Sequence, residues 1–291
     1  MPYNDGIPRI NCYSLTDFHT FEFCPFRFFV THHLEKKYEI EEGNYNMALG
    51  SLLDETIKLF HKTRSYNQPL QYIKNLITAS CKQMIDKVKY QKRPSFYSGI
   101  EKFLNDDLCQ KAYEIFTAYY ETLGRRIKPA IAEVGFCEWV IKSDEGVWKI
   151  WGGPDAIEAG DDGTAEVVDY KFREDIEKGK DNMDMDLMPK VYVLLCLDKL
   201  AKLGFSKARF VVRFWQDPLD NSFYEEFDLS EVAKFESILK QKIIKILSVS
   251  EVSFCNKDFC RACQSDRKSE FIKELKKMGI DTNVVESSNL I

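Results

Sequence analysis

Asp155, Asp169 and Lys171 stand close together in the stretch WGGPDAIEAGDDGTAEVVDYK. GDDG at 160–163 is a hairpin signal between two runs rich in apolar residues. If residues 161–163 form a three-residue loop and Gly160 faces Thr164, Asp155 falls opposite Asp169 and Gly153 opposite Lys171. Facing Cβ atoms in such a pair are about 4.5–5.5 Å apart, and like charges there destabilise the sheet. Two facing carboxylates are tolerable when one is protonated or a cation sits between them. Mg2+ and Mn2+ are hard cations that take oxygen ligands, and Mg2+ commonly uses one or two carboxylates plus a substrate phosphate. Lys171, two residues beyond Asp169, projects from the same strand face. A metal would polarise a phosphate and lower the pKa of a bound water, and an ammonium would orient that water or stabilise developing negative charge. Phosphodiester hydrolysis is the chemistry that best uses this set. A plainer reading stands beside it. In a chain with 30% charged residues a D-x-K is common, Asp155 can cap the turn after Gly152-Gly153-Pro154, and a different loop would slip the register.

The tail FCNKDFCRAC holds a second group, Cys255, Cys260 and Cys263. Their spacing lets several thiolates converge on one centre, and three thiolates need a fourth ligand. All-thiolate sites suit Fe–S clusters or Zn2+. The chain has nine cysteines, an odd number, and MPYNDGIPRI lacks the basic start and apolar stretch of a secretory signal. A reduced, cytoplasmic setting with some metal-bound thiols is therefore expected. Cys12, Cys81, Cys109, Cys137 and Cys196 sit in apolar or strand contexts and are expected to pack as core or surface residues.

Positioning these residues requires a sizeable scaffold, and 291 residues supply one large domain or two small ones. No apolar run approaches the length of a membrane span. The net charge of −5 argues against a blanket basic coat but allows a local basic stripe. Residues 14–34 read as a buried helix or helix–turn–helix with Ser14 as N-cap. Apolar spacing predicts helices over 47–63, 70–92 and 101–124. Residues 131–142, 147–158 and 164–171 read as a three-strand meander with turns at SDEG and GDDG. A helix over 184–203, strands over 207–215 and 222–228, and a helix over 230–248 follow. The pattern predicts an α/β core with a mixed sheet, an N-terminal helical part over 1–128, a core over 129–250 and a Cys-rich tail over 251–291.

WGGPDAIE followed by AEVVDYK resembles the PD-(D/E)xK nuclease signature, with Pro154-Asp155 and Asp169-Tyr170-Lys171 as its halves. Further features are similar to the RecB-like branch. SLTDFHTFEFCPFRFF resembles its N-terminal helix with a Cys-Pro step, LGSLLDETI its Gly-x-x-x-His helix, and IAEVGF its strand carrying a Glu, here Glu133. The 184–203 helix resembles its Gln-x-x-x-Tyr helix, with Tyr192 in the Tyr place. The resemblance spans most of 14–263 and is closest to single-domain iron–sulfur exonucleases, including CRISPR-associated ones. It implies a restriction-endonuclease-like core, Mg2+- or Mn2+-dependent DNA cleavage, and a 4Fe–4S cluster held by Cys24, Cys255, Cys260 and Cys263. It implies metal ligation by Asp54, Asp155, Asp169 and the main-chain carbonyl of Tyr170, with Lys171 and Tyr192 as further catalytic residues.

Two departures matter. The family's His falls at Asp54, which can still ligate a hard cation, and its Gln falls at Met188, which cannot hydrogen-bond a phosphate. Asp54 also reads as a solvated helix position, Tyr192 as core packing beside Leu195, Cys24 as a buried small hydrophobe, and Glu133 as a structural partner of a basic residue. Lys62, Arg64, Lys89, Lys92, Arg93, Arg125, Arg126 and Lys128, with Tyr90, Phe96 and Tyr97, suit a groove for single-stranded DNA or a solvated helix face equally. No Gly-x-x-x-x-Gly-Lys loop is present, so no ATP motor is expected. The leading expectation is a metal-dependent DNA exonuclease acting on single-stranded ends in CRISPR adaptation or DNA repair, with an integrase or helicase as candidate partner. The alternative is a non-cleaving DNA-end-binding scaffold of the same fold.

Overall fold

Ser14 caps the first helix as its type and place suggest. Its Oγ accepts the Asp17 N–H at 3.3 Å, and Asp17 Oδ2 accepts the Ser14 N–H at 2.7 Å, so two otherwise unpaired backbone donors are satisfied. In the computed structural model the described residues are 9–36, 43–90, 99–127, 137–172, 187–219, 224–255, 257–258 and 260–282. They include helices α1 (Leu15–Phe23), α2 (Pro25–Phe28), α3 (Tyr45–Lys62), α4 (Leu70–Tyr90) and α5 (Asp106–Tyr119). Further along come α6 (Met188–Lys202), α7 (Leu229–Val232), α8 (Glu236–Leu247), α9 (Arg261–Gln264) and α10 (Lys268–Lys277). No helix among the described residues is long and apolar enough to cross a membrane.

The strands are β1 (Cys12–Tyr13), β2 (Cys137–Ser143), β3 (Gly146–Gly152), β4 (Ala156–Ala159), β5 (Ala165–Lys171), β6 (Lys207–Phe214), β7 (Tyr224–Asp228), β8 (Glu251–Val252) and β9 (Asp281–Thr282). The chain divides into two compact units, neither continuous in sequence: 1–42 with 140–151 and 236–291, and 43–139 with 152–235.

The larger unit carries a four-stranded sheet in the order β4-β5-β6-β7. β4 and β5 are antiparallel, β5 and β6 parallel, β6 and β7 antiparallel. A parallel neighbour cannot be reached through a tight turn, so α6 makes the crossover from β5 to β6. One sheet face presents Ala156, Val168 and Tyr170 to Leu49, Leu52, Leu53, Phe60 and Phe116 of α3 and α5. This mixed sheet flanked by helices is the expected α/β architecture.

A short sheet runs in the order β1-β3-β2, with Cys12 opposite Lys149 and Tyr13 opposite Ile150, and most of it lies in the smaller unit, β2 starting at Cys137 in the larger one. The smaller unit also holds the parallel pair β8 and β9.

The predicted three-strand meander is corrected. The strand expected over 147–158 breaks between β3 and β4, and its two parts join different sheets. Pro154 has no N–H to give a ladder, so pairing stops there and resumes at Asp155, whose N–H donates to the Val168 carbonyl at 3.0 Å. The helix expected over 230–248 is likewise interrupted, by a 3-10 turn over Ala233–Phe235. The 101–124 helix begins as a separate 3-10 turn, Glu101–Phe103, and ends in a π turn, Tyr120–Gly124.

Candidate functional site

The GDDG turn folds in the expected register. The Gly160 N–H donates to the Thr164 carbonyl at 2.8 Å, and Gly163 takes φ +82°, a left-handed conformation that favours glycine. The pairs Ala156–Val168, Ile157–Val167, Glu158–Glu166 and Ala159–Ala165 follow. Asp155 lies one residue ahead of this ladder. Its Oδ2 accepts the Tyr170 N–H at 2.8 Å, so the carboxylate takes the place of a strand carbonyl beside the Asp169-Tyr170-Lys171 stretch.

Asp169 is buried, 3% exposed. Lys171 Nζ lies 3.0 Å from its Oδ1, to which it donates, and 2.8 Å from Oδ2. The second approach is an ion contact without hydrogen-bond geometry, so Oδ2 is a buried carboxylate oxygen with no hydrogen-bond partner. Such an atom fits a site that takes a cation there.

The three carboxylates act on one another. Burial raises the Asp54 carboxyl well above its usual range, and Asp155 and Asp169 add to the rise while Lys58 and Lys171 oppose it. Burial, then Asp169, pushes Asp155 up to about 6, against Lys171, Lys58 and the Tyr170 N–H. A carboxylate gathering that resists ionisation is what a divalent cation relieves. Burial pulls the Lys171 ammonium down, but Asp169, Tyr192 and Asp155 outweigh it and the net direction is upward, so the ammonium stays charged.

Tyr192 lies on α6. Its ring stacks on Phe210 at 5.5 Å between centroids and 13° between planes. Its phenol is held protonated by burial, Asp169 and Asp155, with Lys171 opposing. Met188 is the first residue of α6 and is buried. Lys58 was not singled out from the sequence, although it stands four residues after Asp54 on α3 and therefore on the same helix face.

Behind the D-Y-K strand lies a buried polar network also missed in the sequence. The Arg213 guanidinium donates to Glu158 Oε2 at 2.8 Å and to Glu166, and His61 Nε2 stands 3.4 Å from Glu158 Oε1. The Tyr170 hydroxyl donates to Glu158 at 3.3 Å and lies 2.8 Å from the Tyr119 hydroxyl, while its ring stacks on Trp215. The signal was available: the register expected to set Asp155 against Asp169 also sets Glu158 against Glu166, and this like-charge pair is answered by Arg213.

In the smaller unit, Cys24, Cys255, Cys260 and Cys263 converge with their sulfurs all within 4.8 Å of one another. Among the described residues no other set of three or more His, Cys, Asp or Glu ligand atoms is that tight, the three aspartates included. Cys24 Sγ is 3.6 Å from Cys263 Sγ, and Cys255 Sγ is 3.9 Å from it. The Cys-Pro step explains the placement of Cys24. It ends α1, and its sulfur caps α2 by accepting the Arg27 N–H at 3.4 Å, while Pro25 starts α2 where no N–H is needed. The contact with the Cys263 sulfur draws the Cys24 thiol down to about 5 against the effect of burial, and the same contact drives Cys263 upward. Four thiols this close suit a soft metal centre, either zinc or an Fe–S cluster.

Phe26 packs on Phe254 beside the cysteines, and Lys257 and Lys268 lie over the rings of Phe23 and Phe254 at 4.4 and 4.2 Å. The remaining cysteines are buried, except half-buried Cys109. Lys62, Arg64, Lys89, Tyr90, Arg125 and Arg126 are exposed, while Lys92, Arg93, Phe96, Tyr97, Lys128 and Glu133 lie outside the described residues.

A family model described as "PD-(D/E)XK nuclease superfamily" matches residues 13–267. No curated protein matches the chain. Among solved structures, one described as the crystal structure of SSO0001 is 13% identical, covers 64% of this chain and 92% of its own, and has a TM-score of 0.30. Another, Rai1 of Scheffersomyces stipitis in complex with (3'-NADP)+ and calcium ion, is 9% identical, with 83% and 71% covered and a TM-score of 0.20. At these TM-scores neither likeness bears on function.

Proposed function

The chain belongs to the PD-(D/E)XK nuclease superfamily, and on that premise we propose that it is a Mg2+- or Mn2+-dependent DNA exonuclease. The observation that carries this reading is Asp155 bonded to the backbone of Asp169-Tyr170-Lys171, beside a buried Asp169 oxygen that lacks a hydrogen-bond partner. Asp155, Asp169 and Asp54 would hold the divalent ion, with the Tyr170 carbonyl as a main-chain ligand. A residue's N–H and C=O leave a strand on the same side, and the Tyr170 N–H points at Asp155, which favours that carbonyl as a ligand. The ion supplies Lewis-acid polarisation of a phosphate and a more acidic bound water.

The chain's own groups then have definite parts. Lys171 is held charged, so it donates to a phosphate oxygen and stabilises negative charge rather than abstracting a proton. The Tyr192 phenol keeps its proton and serves as a donor that orients the phosphate. The Glu158–Arg213 network fixes Tyr170 from behind and so holds the strand between the two catalytic side chains.

Cys24, Cys255, Cys260 and Cys263 would hold a 4Fe–4S cluster whose part is structural, closing a very long stretch of chain. The family resemblance favours iron–sulfur over zinc and a role in CRISPR adaptation or DNA repair, on single-stranded ends.

The test is digestion of end-labelled single-stranded DNA with Mn2+ or Mg2+ by wild type and Lys171→Ala. Equal activity of the two proteins would refute the assigned site. A second reading, a DNA-end binder that does not cleave, is favoured by Asp54 and Met188 standing where the family has His and Gln. It predicts salt-sensitive DNA binding without metal-dependent products.

A further inference from the structure

Outside the proposed metal sites, the larger unit holds a pair of thiols at contact distance. Cys137, the first residue of β2, and Cys196 on α6 have their sulfurs 3.8 Å apart. Both are buried and neither is in a disulfide. They stand 59 residues apart in sequence, so the fold rather than a local motif brings them together. Lys199 follows Cys196 by three residues on the same helix. Its ammonium draws the Cys137 thiol down to about 6, after the larger effect of the contact with the Cys196 sulfur. Cys196 moves the other way, chiefly because of that same contact. Two sulfurs at contact distance with a lysine acting on one of them form an arrangement that lets one sulfur react first and the other resolve.

We propose that Cys137 and Cys196 form a redox-modifiable dithiol that a small hydroperoxide converts into an intramolecular disulfide. The Cys137 thiolate attacks the terminal peroxide oxygen and the O–O bond breaks. This leaves a sulfenic acid on Cys137 and an alkoxide that takes up the proton Cys137 had released. The Cys196 sulfur then attacks the sulfenic sulfur, the S–O bond breaks, and water leaves with the Cys196 proton. Two thiols are oxidised to one disulfide while one hydroperoxide is reduced to an alcohol and water.

Cys137 is 5% exposed and Cys196 fully buried, so a small oxidant reaches the pair and a bulky one does not. The new bond would tie residue 137 to α6, four residues past Tyr192 on the same helix face.

The test is to treat the whole protein, as isolated without air, with limiting hydrogen peroxide, and then to block residual thiols under denaturing conditions and map peptides by mass. The expected result is a linked peptide pair containing Cys137 and Cys196, lighter by two hydrogens and reversed by dithiothreitol. Cys196→Ser is expected to stop the reaction at a Cys137 sulfenic acid that dimedone traps. Lys199→Met, which leaves both sulfurs in place, is expected to slow oxidation severalfold. Two outcomes overturn the proposal: both cysteines still fully blocked as thiols, or oxidation no faster there than at Cys12. The readout is independent of DNA cleavage, so it stands or falls apart from the nuclease reading.

Discussion

Replacing Asp155 by Asn separates the stability of the acidic site from its function. Asp155 is raised from 3.8 to about 6, first by burial and then by Asp169. The folded state therefore holds its proton more tightly than the unfolded chain. Folding stability falls as pH rises through that window and stays lowered above it, because the folded protein must then carry a carboxylate it disfavours. The gap between 3.8 and about 6 corresponds to about 3 kcal/mol. Asparagine keeps an oxygen to accept the Tyr170 N–H but carries no charge. Without divalent ions at about pH 7.5, Asp155→Asn is expected to be more stable than wild type by up to about 3 kcal/mol, and by less than about 1 kcal/mol near pH 4. Urea unfolding followed by circular dichroism measures the gap at each pH. Mn2+ is expected to stabilise wild type, by about 2.7 kcal/mol at a hundredfold excess over its Kd, and to leave the variant unmoved. A variant less stable than wild type at neutral pH, or a gap of the same size at both pH values, would refute the reasoning.

Further outcomes follow from other groups. Lys171→Met is expected to lower the rate of DNA digestion by about 100-fold or more with an unchanged circular dichroism spectrum, since it removes a charge donor and leaves the strand intact. Arg213→Met strands Glu158 and Glu166 without their shared cation and is expected to cost about 3–5 kcal/mol in urea unfolding. Lys58→Ala removes a cation that faces Asp54 and Asp155 and is expected to raise the pH midpoint of Mn2+ binding, read by calorimetry. Cys263→Ser takes away a sulfur in contact with both Cys24 and Cys255, and is expected to abolish visible absorption and bound iron in the purified protein.

The register of the Asp155 hairpin was legible because a glycine-bounded turn leaves few loop lengths, and one loop length determines every pair after it. Helix starts were legible at Ser14, where a hydroxyl and a carboxylate three residues on are the local requirement. Cys24 came from the family resemblance, since spacing alone does not join it to residues more than two hundred positions away. The break at Gly152–Pro154 was missed because both flanking runs have strand composition, and composition does not say which sheet a strand will join. The Glu158–Arg213 network was missed for a different reason: Arg213 lies on a strand whose parallel pairing with β5 is set by the crossover helix, not by a turn. Lys58 was within reach of helical spacing, but its neighbour Glu55 offers the same cation a partner at 3.8 Å.

The interleaved units have a consequence for biosynthesis. A ribosome delivers residues in order, and every segment of the unit that carries Asp54, Asp155, Asp169 and Lys171 has emerged once residue 235 is free. The other unit is interrupted by that one, with Cys24 and Cys263 239 positions apart. Cys24 must therefore wait for its partner thiols until residue 263 has been made. Whatever metal the four sulfurs take is bound as a complete set only after that point, and the unit with the aspartates can be assembled before the thiolate set is loaded.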